Sequence, residues 1–170
     1  MTYQYDNVYL NDTYVIAGKY EKEGPLGKYY DKTYDDFYCG EKTFEQGEIK
    51  MLKEAINNLF LKTNKKSDLI ISGDLLNQIV VSNYSVKDMN IPYLGIYSAC
   101  ASSVQGLIIG ASFIDKGIIN SCVCSVSSNN NTAEKQFRYP VEYGGIKPKT
   151  TTFTTTGACT AFLSNEKAAR

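Results

Sequence analysis

The chain has 170 residues, 43% of them apolar and 12% aromatic, with 18 basic and 18 acidic side chains and therefore no net charge. That length and composition suit one domain with its own apolar core and exclude a disordered chain, and the charge balance gives no electrostatic reason to expect nucleic acid or an anionic membrane surface as partner. Histidine is absent, which removes imidazole from this chain as a base, an acid or a metal ligand.

The N-terminal Met-Thr-Tyr-Gln-Tyr-Asp lacks the basic region and apolar core of a signal peptide. From Asn7 to Ala17 the spacing of Val8, Leu10, Tyr14, Val15 and Ile16 predicts a first strand, ended by Gly18. A polar, tyrosine-dense excursion over 19–42 follows, with a Gly24-Pro25 turn and Tyr29, Tyr30, Tyr34 and Tyr38. A connection that long is expected to be functional or to pack against a neighbour.

Thr43 is a candidate N-cap, and Phe44, Ile49, Leu52, Ala55, Ile56, Leu59 and Phe60 then mark an amphipathic helix. Asp68 to Gly73 is a short apolar run of the kind a parallel sheet buries on both faces. Leu75 to Met89 predicts a second helix, and Pro92 to Tyr97 a third strand. Cys100 to Lys116, rich in small residues and apolar nearly all round, predicts a central helix.

Ile118 to Val126 predicts another buried strand, 129–149 a polar excursion, and Thr150 to Ser164 a threonine-rich strand interrupted by Gly157-Ala158. The order β, α, β, α, β, α, β, β points to an α/β fold layered around a mostly parallel sheet. No apolar stretch reaches the ~18 residues of a spanning helix, so a soluble protein is expected unless a partner holds it at a membrane.

The five cysteines, Cys39, Cys100, Cys122, Cys124 and Cys159, are odd in number and contain no CxxC pair. Neither a disulfide framework nor a zinc site is indicated, and reduced thiols in a cytosolic setting are expected. Cys122 and Cys124, two apart on one strand, share a face and read as packing. No cofactor motif is present: the Gly73-Asp74 segment lacks the phosphate-loop and dinucleotide patterns and reads as a turn capped by Asp74.

The segment with most chemical content is Tyr97-Ser98-Ala99-Cys100-Ala101-Ser102-Ser103, where a strand ends in a cysteine that opens a helix. Free backbone N–H groups and the helix dipole there favour a thiolate and attract a carboxylate. The competing reading is a small cysteine packed on a glycine-rich helix. In Gln136-Phe137-Arg138-Tyr139-Pro140 a cation lies between two aromatics, either as a carboxylate anchor or as a contact between subunits.

Gly24-Pro25-Leu26-Gly27-Lys28, Asp35 to Lys42, Gly73 to Gln78, Gln136 to Pro140 and Glu142-Tyr143-Gly144-Gly145 closely resemble the stage V sporulation protein AD family, along essentially the whole chain. The resemblance implies a thiolase-like fold of two similar halves in α-β-α-β-α layers. Residues 1–170 would form one βαβαβαββ half. It further implies a soluble pseudo-enzyme at the spore inner membrane, without cofactor. Such a protein would bind dipicolinic acid, with calcium, for membrane-embedded channel components and would itself form a homodimer.

By the same resemblance Cys100 stands where condensing enzymes carry their acylated cysteine. Cys100, Ser102, Ser127, Ser128 and Asn129 are the expected ligand contacts, with Arg138 a further source of charge. Asn129 takes the place of an expected histidine after Ser127-Ser128. The alternative is an acyltransferase of thiolase or ketoacyl-synthase type with Cys100 as nucleophile. The missing histidine weighs against it, since such an enzyme needs a base and an oxyanion hole.

Overall fold

In the computed structural model, which describes residues 3–134 and 154–167, the β-branched and aromatic segment Tyr9–Ala17 forms strand β1. The tyrosine-rich excursion holds a short helix α1 (Lys19–Glu23), a 3-10 turn at Gly27–Tyr29 and a two-residue strand β2 (Lys32–Thr33). Helix α2 (Phe44–Thr63) starts at Thr43, whose hydroxyl accepts the Gln46 N–H at 3.2 Å, and ends at Asn64 in the left-handed conformation. Strand β3 (Leu69–Gly73), helix α3 (Val80–Val86), strand β4 (Tyr93–Gly95), helix α4 (Ser102–Asp115) and strands β5 (Ser121–Ser128) and β6 (Gly157–Ser164) complete the order.

The six strands form one sheet in the order β2-β1-β6-β5-β3-β4. β3 pairs in parallel with β4 and β5, and β1 with β2, while β6 runs antiparallel between β1 and β5. Helix α2 covers one face, where Met51, Leu52, Ile56 and Leu59 pack on Ile16, Ile70, Val123 and Phe162. Helix α4 covers the other, over Ile71, Cys122, Cys124 and Leu163. The adjacent Ile70 and Ile71 of β3 thus enter opposite cores, which is why β3 reads as an unbroken apolar run.

Gly110 lets α4 lie this close: a Cβ there would stand 2.5 Å from the Cys122 sulfur. Cys122 and Cys124 share a face with their sulfurs 3.8 Å apart. The outer side of α4 is open, with Val104 57% and Ile108 53% exposed.

Four expectations are revised. The second helix is only Val80–Val86, because Gln78 and Ile79 take positive φ of 58° and 49° and Asp74 accepts the Leu76 and Ser82 N–H groups in a turn. The excursion before α2 contributes a helix and a strand rather than a plain connection. The fourth predicted strand extends to Ser128, in register with Gly157. Gly157-Ala158 opens β6 instead of interrupting it; Thr150 to Phe153 lie outside the described residues.

Candidate ligand site at the start of helix α4

The parallel strands β1, β3 and β5 end on one edge of the sheet, where α/β folds leave crevices for ligands. A cavity of 580 Å3 lies there, bounded by Val15–Ala17, Val126–Ser128 and Gly157–Cys159, by Leu75 beyond β3 and by Cys100 and Ser103 at the start of α4. Tyr30 and Thr154–Thr156 close it from the loops. That volume suits a small organic ligand. Its described lining offers hydroxyls, thiols and apolar surface and no charged side chain.

Cys100 reaches the cavity through a strained backbone. Ala99 before it takes a positive φ of 49°, a left-handed conformation that costs a non-glycine residue ~1 kcal/mol, and a 3-10 turn at Ala99–Ala101 leads into α4. Cys100 is exposed and so is Cys159 on β6, which borders the same space. The protein around Cys159 pushes its thiol pKa up by desolvation. No side chain caps the 3-10 turn or α4; the Ala101 and Ser102 N–H groups donate to the Ser98 and Ala99 carbonyls, and the positive end of the helix dipole lies at this end of the sheet.

The expected contacts separate. Cys100, Ser127 and Ser128 border the cavity; Ser102 and Asn129 do not. The Ser102 hydroxyl is buried and accepts the Ser98 N–H at 3.1 Å. Asn129 is 1% exposed; its Oδ1 accepts the Asn131 N–H, and its Nδ2 has no hydrogen-bond partner among the described residues. Ser128 donates its hydroxyl to the Thr155 carbonyl at 2.6 Å and so holds the Thr154–Thr156 strap. That strap is tied again by the Gly18 N–H to the Thr156 carbonyl and by the Thr156 N–H to Glu21. Gln136 to Pro140, with Arg138, lies outside the described residues, as does Glu142 to Gly145.

Ser127 borders the cavity with its backbone while its hydroxyl points through the other face of the sheet, donating to Glu48 Oε1 on α2 at 2.8 Å. The other carboxyl oxygen receives the Thr132 hydroxyl. Glu48 is 1% exposed, and burial, reinforced by Asp74 and Glu45, pushes its pKa up to about 7 against the pull of the two hydroxyls. Asp74, also buried, is pushed up by desolvation.

Sequence reasoning missed Glu48, Cys159 and the threonine strap. Glu48 had a signal: it falls four residues before Leu52, in the buried stripe of α2. Cys159 had none, because only the antiparallel placement of β6 sets it opposite Val126 and Val15.

The model of the stage V sporulation protein AD family matches residues 2–170. The chain belongs to that family. Stage V sporulation protein AD of Bacillus subtilis (strain 168) is 40% identical over 160 residues, 92% of this chain and 47% of the relative. The chain therefore spans about half the length of the curated relative it matches.

Solved structures share the fold at low identity. OleA of Xanthomonas campestris, in a variant with bound lauric acid and lauroyl-CoA, superposes with a TM-score of 0.61 at 14% identity over 95% of this chain and 57% of OleA. The 3-oxoacyl-[acyl-carrier-protein] synthase III of Aquifex aeolicus gives 0.52 at 18% identity over 93% and 51%. The family member described here has the thiolase-like fold. No helix among its described residues is long and apolar enough to cross a membrane.

Proposed function

We propose that this member of the stage V sporulation protein AD family binds dipicolinic acid, pyridine-2,6-dicarboxylate, in the cavity at Cys100 and serves its uptake into the developing spore. The observation that carries the reading is the cavity at the start of α4, largely apolar and with no charged side chain in its described lining, in a member of a sporulation family. Backbone N–H groups there suit one carboxylate, and the apolar strand ends suit a flat ring. A bare dianion would find no countercharge in the described lining. The neutral one-to-one calcium chelate avoids that cost.

The protein then acts as a peripheral component at the spore inner membrane, a homodimer handing its ligand to membrane-embedded channel subunits. Titration calorimetry with dipicolinic acid, with and without calcium, tests the reading, an isomeric pyridine dicarboxylate serving as control. Saturable binding that discriminates the isomer is expected. No binding by the folded chain overturns the claim that these residues suffice.

A second reading rests on Cys100 itself, accessible at the mouth of α4 as an acyl-accepting thiol would be. This chain has no histidine to serve as its base. Incubation with an acyl-coenzyme A and intact-mass analysis decides it: an acyl adduct lost in Cys100→Ala would establish the nucleophile.

A further inference from the structure

Glu48 lies behind the cavity, on the far face of the sheet, and joins both ends of one turn. Ser127, the next-to-last residue of β5, donates to one of its oxygens and Thr132 to the other. Between them the Asn129 carbonyl accepts the Thr132 and Ala133 N–H groups, and the Glu134 N–H donates to the Leu75 carbonyl on the cavity wall. The neighbour of Ser127 is Ser128, which holds the threonine strap over the cavity. One buried carboxyl thus fastens the stretch from which two walls of the cavity hang.

We propose that Glu48 is a proton-sensitive positioning residue of the ligand cavity, fastening the Ser127–Thr132 turn when it carries a proton and loosening it when it is ionised. The proposal deepens the binding reading and rests on it only for the ligand measurement below.

The hydrogen-bond inventory gives the reason. The Thr132 hydroxyl also lies 3.2 Å from the Asn129 carbonyl. A protonated Glu48 can donate to the Thr132 oxygen while that hydroxyl donates onward to Asn129, and still accept from Ser127. Every polar atom of the carboxyl is then partnered. An ionised Glu48 must draw both hydroxyls to itself, and it remains a buried charge with no cation on it among the described residues.

The acids that act on it are Asp74, at the end of β3, and Glu45 on its own helix; both favour the neutral form. The other elements packed on α2 bring Ile16, Val123, Ala158, Phe162, Val81 and Val86 to that core. Its titratable members are the phenols Tyr14, Tyr34 and Tyr93 and the thiol of Cys39. Burial places the neutral-to-charged change near pH 7 instead of in the ordinary carboxylate range.

The test is amide hydrogen exchange of residues 127–133 in the 170-residue chain from about pH 5.5 to about pH 8.5, each rate divided by that of Glu48→Gln to cancel intrinsic chemistry. The ratio should rise on the order of tenfold with a midpoint near the Glu48 titration. A flat ratio overturns the proposal.

Thr132→Val keeps the carboxyl and removes the hydroxyl that ties the far end of the turn to it, so the exchange ratio must lose most of its pH dependence; an unchanged profile also overturns it. Dipicolinate titration over the same range separates the two claims. A pH-dependent exchange ratio without binding sinks the ligand reading alone. Binding with one pH profile in wild type and Glu48→Gln, with flat exchange, sinks the role of Glu48 alone.

Discussion

Gly110 of α4 lies so close to Cys122 of β5 that any side chain between them would overlap the sulfur, a Cβ standing 2.5 Å from Cys122 Sγ and 3.2 Å from Cys124 Sγ. Both sulfurs are buried under the helix. Gly110→Ala must therefore push α4 off the sheet, at a cost of about 1–3 kcal/mol. Urea unfolding checks this, and combining it with Cys122→Ala should recover part of the loss, since the two changes share one contact.

Glu48 gives the protein a stability that falls as pH rises toward neutrality. Its folded-state pKa is about 7 against an ordinary 4.5, so between these values the folded chain keeps a proton that the unfolded chain has released. The stability is fully present below about pH 4.5 and is lost as pH rises to about 7. The loss is on the order of 3 kcal/mol. Unfolding free energies of wild type minus Glu48→Gln, measured across this range, should fall with pH; a flat difference would show that the carboxyl titrates normally.

The thiols divide into two groups. Cys100 and Cys159 are reachable at the cavity, whereas Cys39, Cys122 and Cys124 are buried. An aromatic disulfide reagent should modify Cys100 first and Cys159 more slowly, because the surroundings of Cys159 favour its protonated form. The buried three should react only on unfolding. Peptide mapping identifies the sites, and Cys100→Ala should remove the fast phase while changing stability by no more than ~0.5 kcal/mol.

Thr43→Ala removes the only side-chain acceptor for the Gln46 N–H at the start of α2. A loss of ~1 kcal/mol is expected in thermal or urea unfolding. Thr43→Ser, which keeps the acceptor, should restore nearly all of it.

The sequence by itself determined the features that depend on neighbours along the chain. The period of Leu52, Ala55, Ile56 and Leu59 with Thr43 ahead of them specified α2, the apolar run at Ile70 and Ile71 marked a strand buried on both faces, and the small-residue apolar run after Cys100 specified α4. The long motifs carried the family.

Tertiary structure alone decided what depends on strands far apart in the chain. Alternation along β5 says that Ser127 and Ser128 point to opposite faces, but it does not say which face belongs to α2 and which to α4. The sheet order settles that, sending the Ser127 hydroxyl to Glu48 and the Ser128 hydroxyl to the strap. The reversed strand β6 between β1 and β5 brings Cys159 to the cavity of Cys100. No local pattern encodes that placement, because the pairing energy comes from partners about thirty to forty residues away on one side and more than a hundred on the other.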